Sequence, residues 1–235
     1  MKTKTIYQMK KIFLFLITAA TITACSSSKN GFELSGNLKN ANDGKVVLKE
    51  MRTNNMETVD TVQLDDSGNF YFSGELEIPN FFLLEKDQAN YITLIIHPGE
   101  KISIEAEANN MMEDYSIKGS ADSKLLKEYT GRLMSAINEM IGLNQIYRDS
   151  LQSPNISSIM EDLDKKSKEI GDEIRVYTIS FIEENPESLA SLMALYQQLA
   201  PQQYILDPMT DIEYYKLVDS TLYSLYPQSE PEDSS

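Results

Sequence analysis

The clearest β pattern in the chain is Tyr91-Ile92-Thr93-Leu94-Ile95-Ile96-His97-Pro98-Gly99-Glu100-Lys101-Ile102-Ser103-Ile104-Glu105-Ala106-Glu107. Its second half alternates strictly, with Ile102, Ile104 and Ala106 on one face and charged or hydroxyl side chains on the other. Such alternation is typical of an antiparallel strand with one buried face and one wet face. Pro98 and Gly99 fit the second and third positions of a type II turn. We therefore predict a β-hairpin over residues 91–107.

The same period of two extends over residues 32–120, where turn-forming residues interrupt it. One turn lies at Asn42-Asp43-Gly44 and another at Asp65-Asp66-Ser67-Gly68-Asn69, with Asp66 and Gly68 as structural turn residues. The second segment carries side-chain oxygens of the kind that bind calcium. Counted from Asp65, however, the twelfth position of a calcium-binding loop is Leu76 and not the bidentate Glu that such a loop needs, so a hairpin turn is favoured over a weak cation site. Several short strands with regular turns predict an antiparallel β-sandwich or barrel-like domain.

From residue 121 the apolar pattern becomes helical. Apolar positions three and four residues apart predict two long helices, joined by a short connection at Pro154 and forming an antiparallel hairpin. Two shorter helices are expected, one from Asn185 to Pro201 and one over residues 211–225. We therefore expect an α+β protein, with an antiparallel β domain over residues 32–120 and a helical region over residues 121–226. The polar, Pro-broken residues 227–235 are expected to be disordered.

The first 25 residues have the parts of an export signal. Four lysines precede a short apolar run, and the segment closes on Ile22, Thr23, Ala24 and Cys25. The run is shorter than the roughly 20 residues that a membrane-spanning helix needs. The last four residues resemble the lipobox of bacterial lipoproteins. This resemblance implies a signal peptide over residues 1–24, a lipid on Cys25 and a tether over residues 25–31.

The composition indicates a globular fold and limits the classes of partner that the chain can bind. A hydrophobic content of 41% is enough for a packed core, so a globular fold is feasible. The net charge is −15, and removal of the lysine-rich signal makes the remaining chain more negative still. Such a surface repels phosphate backbones and anionic lipid heads, so we expect no nucleic-acid partner. We expect membrane contact through the lipid on Cys25 and a possible protein partner in the cell envelope.

Candidate catalytic residues are few. Cys25 is the only Cys, and its lipidation would leave no thiol for redox chemistry or for a metal. His97 is the only His, it lies in a predicted tight turn, and no Gly-x-Ser-x-Gly motif accompanies it. We therefore expect no catalytic residue, no metal site and no cofactor. Carboxylates that the sequence does not single out remain an alternative. The tyrosines of the C-terminal third are expected to pack within the fold, with a partner-binding face as the alternative.

The order of several motifs resembles a known lipoprotein family. These motifs are Gly36, Asp66-Ser67-Gly68-Asn69-Phe70, Pro98-Gly99-Glu100, Ile117-Lys118-Gly119-Ser120, Asn185-Pro186-Glu187-Ser188 and Tyr226-Pro227. They are similar to the N-terminal region of thiol:disulfide oxidoreductase lipoproteins of the resA and tlpA kind. In that family a β-rich domain of unknown function and a helical segment precede a thioredoxin-like domain with a Trp-Cys-x-x-Cys centre. This sequence has no Trp and one Cys, so no redox residue of the family can be assigned here.

Together, these features predict a lipid-anchored cell-envelope protein that acts as a non-catalytic accessory or binding module. In some Gram-negative groups, acidic residues soon after the lipidated Cys direct export to the cell surface. Residues 26–30 carry no acid, so we expect an outer-membrane location facing the periplasm, with surface exposure as the alternative. The other functional alternatives are an envelope enzyme that uses unidentified carboxylates and a truncated, inactive oxidoreductase. Because the redox centre of the family is missing from this sequence, the resemblance also implies that the chain is either a natural stand-alone accessory region or the product of a shortened gene.

Overall fold

The computed structural model describes residues 30–41 and 44–227. The predicted signal peptide, the lipobox Ile22–Cys25 and most of the tether lie outside the described residues. So do Asn42 and Asp43 of the first predicted turn, and residues 228–235 of the tail. None of the described helices is long and apolar enough to cross a membrane.

Strands come first in the chain and helices follow. The strands of the first part are β1 Gly31–Lys39, β2 Lys45–Met51, β3 Met56–Gln63, β4 Asn69–Glu75, β5 Asn80–Asp87, β6 Asn90–Ile96, β7 Lys101–Glu107 and β8 Tyr115–Lys118. The second part contains α1 Ala121–Ser150, α2 Ile156–Glu184, α3 Leu189–Leu195, β9 Gln198–Ala200, β10 Gln203–Tyr204 and α4 Ile212–Leu225. The predicted α+β class is confirmed, and the predicted boundary at residue 120 falls between β8 and α1.

The strands from residues 31–118 form two sheets that pack face to face. Sheet I has the order β4-β1-β7-β8 and sheet II the order β3-β2-β5-β6. Their inner faces share one apolar core, which includes Leu34 and Ile104 from sheet I and Leu48 and Leu94 from sheet II. The described strands thus form a sandwich and not a closed barrel. The sandwich is also not wholly antiparallel, because β1 pairs with β7 in parallel.

The predicted hairpin over residues 91–107 is wrong in its pairing. β6 pairs with β5, whereas β7 pairs with β1 and β8, so residues 97–100 carry the chain from sheet II to sheet I. The turn itself has the predicted form: Gly99 has φ 84°, and the Glu100 N–H donates to the His97 carbonyl at 3.2 Å. A type II turn splays its flanking strands instead of matching their twist. The two splayed strands belong to opposite sheets, and their apolar faces meet in the sandwich core, which contains both Ile96 and Ile102.

The turn at residues 65–69 also connects the two sheets, because β3 belongs to sheet II and β4 to sheet I. The Asp65 carboxylate stabilises it by accepting the N–H groups of Ser67 and Asn69, each at 2.8 Å, while Asp66 is exposed. Gly68 has φ 79°, and a Cβ there would lie 2.3 Å from the Leu38 carbonyl oxygen. The turn prediction is therefore correct, but the hairpin is not. The consecutive antiparallel pairs within the sandwich are β2–β3, β5–β6 and β7–β8.

The helices cover the outer face of sheet II at β6. Ile92, Leu94 and Ile96 of β6 point into the sandwich, whereas Ile95 is fully buried against the helices. A second apolar core joins Ile95 to α1–α4; its buried members include Leu126, Tyr129, Leu133, Ile174, Phe181, Ile182, Leu195, Leu206 and Val218. Burial on both faces explains why residues 92–96 are almost continuously apolar.

The helical hairpin α1–α2 is found where it was predicted. The third helix is shorter than predicted at both ends. It begins at Leu189, capped by Ser188 instead of Asn185, and it ends at Leu195, after which the chain forms the two-strand ribbon β9–β10. Leu199 and Ile205 of this segment are buried in the helical core. An extended ribbon places both side chains there, and this arrangement replaces the helix that was expected up to Pro201.

Candidate functional site

A cluster of polar side chains lies where the sandwich meets the helices, and we call it the polar junction. It consists of His97, Glu100, Ser120, Asp122, Ser123 and Ser188. His97 and Glu100 belong to the turn after β6. The other members lie at helix starts: Ser120 caps α1 by accepting the Ser123 N–H, and Ser188 caps α3 by accepting the Ala190 N–H at 3.0 Å.

The Asp122 carboxylate holds three elements together. One oxygen lies 3.0 Å from His97 Nε2 and accepts the Leu189 backbone N–H at 3.2 Å. The other oxygen accepts the Ser188 hydroxyl at 2.8 Å. Asp122 is thus bonded to the turn after β6 and to the N-terminus of α3 while lying in the first turn of α1. A negative charge is favourable at both helix N-termini.

Two serines attach α1 to the edge of sheet II. β6 is an edge strand, so its outer backbone groups have no strand partner. Ser123 Oγ donates to the Ile95 carbonyl at 2.7 Å and accepts the Ile95 N–H at 2.8 Å. Ser120 Oγ donates to the same carbonyl at 3.0 Å. The start of α1 therefore satisfies this part of the edge strand in place of a neighbouring strand.

Electrostatics at the junction favour an ion pair. The hydrogen bond to Asp122 raises the pKa of His97, although partial burial opposes it. Burial pushes the pKa of Asp122 upward, but the bonds from His97 and Ser188 outweigh that effect and the pKa is lowered overall. Burial raises the pKa of Glu100, whose carboxylate accepts the His97 backbone N–H at 3.0 Å. The contact thus favours the protonated imidazole of His97 and the ionised carboxylate of Asp122, each relative to the free side chain.

The junction has the residue types of a hydrolase triad, but they are connected differently. A triad needs the imidazole between the nucleophilic hydroxyl and the carboxylate. Here His97 and Ser188 both bond to Asp122, and the Ser188 oxygen also caps α3. Ser188 is only 2% exposed, so a substrate has little access to it. This arrangement can hold the sandwich against the helices, and the junction's hydroxyls bond to carboxylates and to backbone groups instead of to the imidazole.

Sequence reasoning located part of the junction. His97, Pro98 and Gly99 lie in a turn as predicted, and Asp122 lies in the first helical turn as predicted. The contacts of His97 with Asp122, and of Asp122 with Ser188, were missed. The available signal was the pair of helix starts at Ser120-Ala121-Asp122-Ser123 and Ser188, which carry capping residues. Asp66 and Gly68 lie in the separate turn before β4 and take no part.

The tyrosines of the C-terminal third differ in burial. Tyr215 packs, because its hydroxyl donates to the carbonyls of Leu195 and Leu206 at 2.8 and 3.2 Å. Tyr196, Tyr204 and Tyr223 remain largely exposed. Close to them, the guanidinium of Arg175 binds the Asp211 carboxylate at 2.8 and 2.6 Å and so ties α2 to the start of α4.

One further place could hold a small ligand. A shallow depression of about 310 Å³ lies at the end of sheet I, where Tyr71, Gly74 and Gly99 adjoin the ion pair Lys101–Glu33 at 2.7 Å. Within residues 30–41 and 44–227, no group of three or more His, Cys, Asp or Glu side chains could hold a metal ion. In the turn at residues 65–69, the Asp65 oxygens accept bonds from the turn's own N–H groups.

The fold and the junction define an α+β protein in which a two-sheet sandwich is bonded to a helical region through the Asp122 carboxylate and two serine hydroxyls. A family model described as Domain of unknown function (DUF4369) matches residues 32–126. The match covers the whole sandwich and the first turns of α1, so it includes His97 and Asp122 but not Ser188. No curated protein and no solved structure matches the chain.

Proposed function

We propose that this chain is a lipid-anchored cell-envelope protein whose sandwich and helices form a non-catalytic binding module. The observation that carries the non-catalytic assignment is the geometry around Asp122. The only imidazole of the chain bonds to a carboxylate that also binds two groups at the start of α3. A catalytic base needs its free nitrogen aimed at a reacting group, whereas this imidazole holds two parts of the fold together.

The lipid anchor rests on the sequence. Ile22-Thr23-Ala24-Cys25 has the lipobox pattern after a basic and then apolar segment. A strongly acidic chain gains little from anionic lipid heads, so a covalent lipid is the reasonable source of membrane attachment. The absence of acids in residues 26–30 supports an outer-membrane location facing the periplasm.

The relation to thiol:disulfide interchange lipoproteins rests on the order of the motifs that this sequence shares with that family. The match of residues 32–126 to a domain of unknown function is compatible with this relation and assigns no activity. We infer an accessory role by contact, in which the module binds another envelope protein.

The anchor is tested by metabolic labelling with a fatty-acid analogue. The Cys25→Ser variant is expected to accumulate as an unlabelled precursor, whereas Ser26→Ala, the matched neighbouring change, is expected to be labelled and processed normally. Labelling of Cys25→Ser at the level of the unmodified chain would refute the anchor.

The non-catalytic assignment is tested by screening the purified protein for hydrolysis of ester, peptide and glycoside substrates and for insulin reduction. We expect no turnover, together with capture of an envelope protein after cross-linking in cells. Turnover that disappears in both His97→Gln and Ser188→Ala, while the folded state is retained, would show that the junction is an active site. Such a result would overturn the proposal.

A further inference from the structure

The two long helices extend beyond the protein core. The last buried side chain of α1 is Ala136 and the first of α2 is Ile174. Residues 137–173 of the hairpin form a two-helix arm, in which α1 continues for about 21 Å past Ala136. At the base of the arm, Ile137, Met140 and Ile170 still pack against the helical core. Ile141, Ile146 and Leu151 are each about half exposed on this arm, at 56%, 47% and 50%.

One face of α1 is exposed, lacks charge and follows helical spacing. We call it the charge-free face and define it by Met134, Ser135, Asn138, Ile141 and Gly142. Glu139 is the only charged residue between Arg132 and Arg148, in a chain that is 24% charged overall. No atom outside the neighbouring helical backbone lies within 4 Å of a Cβ built on Gly142. Small and large side chains alternate along this face.

The face is complementary to itself. When two antiparallel helices are related by a two-fold axis, facing residues have numbers with a constant sum. With the axis at Asn138, Met134 faces Gly142 and Ile141 faces Ser135. Each large side chain then meets a small one, which is the arrangement that lets two helices interdigitate.

Charge complementarity at the ends of the face supports the same pairing. Glu128 and Arg148 are both exposed, and the axis at Asn138 places each opposite the other residue of the second copy. The pair occurs twice because of the symmetry. Elsewhere the net charge of −15 makes two copies repel, so a close approach is least opposed where charge is absent.

The architecture leaves room for this approach. Lys124, Glu128 and Gly131 on the same side of α1 are exposed near the sandwich. The axis at Asn138 lies about 26 Å from the first residue of α1, so the two sandwiches would lie at opposite ends of the paired arms.

We propose that the charge-free face of α1 binds the same face of a second copy of this chain, antiparallel and with the two-fold axis at Asn138. The interface goes beyond the binding role proposed above, and it does not depend on the identity of any envelope partner.

Cysteine cross-linking in the intact envelope tests the axis. Asn138→Cys in the full chain places two thiols at the axis, where helices packed at small residues approach closely enough for a disulfide. We expect a reducible dimer after mild oxidation. Lys165→Cys, an exposed site on α2, is the matched control and should give none, as should the chain without an added cysteine. Failure of Asn138→Cys to cross-link, or equal cross-linking of Lys165→Cys, would overturn the proposal.

A charge exchange tests the orientation. Sedimentation velocity on the full chain in detergent should show a reversible dimer. Glu128→Arg and Arg148→Glu should each raise its dissociation constant about tenfold, because each creates two like-charge contacts. The double variant should recover most of the loss, and Glu161→Arg, an exposed control on α2, should change nothing. Circular dichroism checks that the helices persist. A monomeric unmodified chain, or a double variant no better than the single variants, would refute the pairing.

Discussion

Substitution of Asp122 by alanine should loosen the connection between the sandwich and the helices. The change removes a carboxylate that bonds to His97, Ser188 and the Leu189 N–H. His97 is partly exposed and can turn to water, so its loss is small. Ser188 is 2% exposed, and the Leu189 N–H lies beside it at the buried start of α3. These two donors are left without their partner.

The size of the effect follows from these two donors. An unsatisfied buried donor costs about 1–3 kcal/mol, and bonds to a charged group lie at the upper end of the range. With a small share from His97, we expect the free energy of unfolding to fall by about 3 kcal/mol. That is a change of roughly a hundredfold in the folding equilibrium constant. For a domain of this size it corresponds to a fall in Tm of about 6–12 °C.

Urea denaturation followed by far-UV and near-UV circular dichroism measures this free energy. Asp162→Ala, an exposed position on α2, is the matched control and should change stability by less than about 0.5 kcal/mol. A loss below about 1 kcal/mol for Asp122→Ala would show that Ser188 and Leu189 find other partners. The assignment of Asp122 as the main polar link would then be refuted.

Three further predictions concern the same measurement. His97 has a raised pKa in the folded state, so its stabilising effect is complete below about pH 6.5 and is lost as the pH rises through the folded value. The free energy of unfolding should therefore fall as the pH rises above about 6.5, and His97→Gln should abolish that decline because this is the only His. Gly119→Ala should destabilise the protein by more than about 2 kcal/mol, because φ at this residue is 88° and a Cβ would lie 1.9 Å from the Lys101 carbonyl oxygen. Gly171→Ala, where nothing lies within 4 Å of an added Cβ on α2, is the control and should stabilise the protein by up to about 1 kcal/mol. Arg175→Leu should lower the free energy of unfolding by about 2 kcal/mol, because it leaves the buried Asp211 carboxylate without its guanidinium. Arg175→Lys should recover only part of this loss, and equal stability of the two variants would contradict a role for the bidentate contact.

The turns show how far local sequence can be interpreted. Pro98-Gly99 predicts a type II turn, and the structure has it, because the fixed φ of Pro and the positive φ of Gly act within four residues. The strands that this turn connects could not be predicted. Ile96 and Ile102 present the same apolar pattern whether their strands pair with each other or face each other across the core.

The polar junction shows a similar limit. The sequence marks His97 as a turn residue and Asp122 as a residue of a helix start, since both assignments depend on near neighbours. Their 3.0 Å contact depends on the packing of Ile95 against the helices, which places the start of α1 beside the edge of sheet II. Ser188 joins them from 66 residues further along the chain. No local pattern encodes a contact of that separation.

The sequence by itself determines the class, the placement of the sandwich strands before the helices and the form of the turns, because each depends on periodicity or on a few adjacent residues. Only the tertiary structure decides that β6 and β7 separate into opposite sheets, that β1 and β7 run parallel, and that one carboxylate joins the sandwich to the helices. The pairing of the strands and the contact between the sandwich and the helices depend on which apolar faces bury each other. The free energy of burial is a property of the assembled core and not of any one segment.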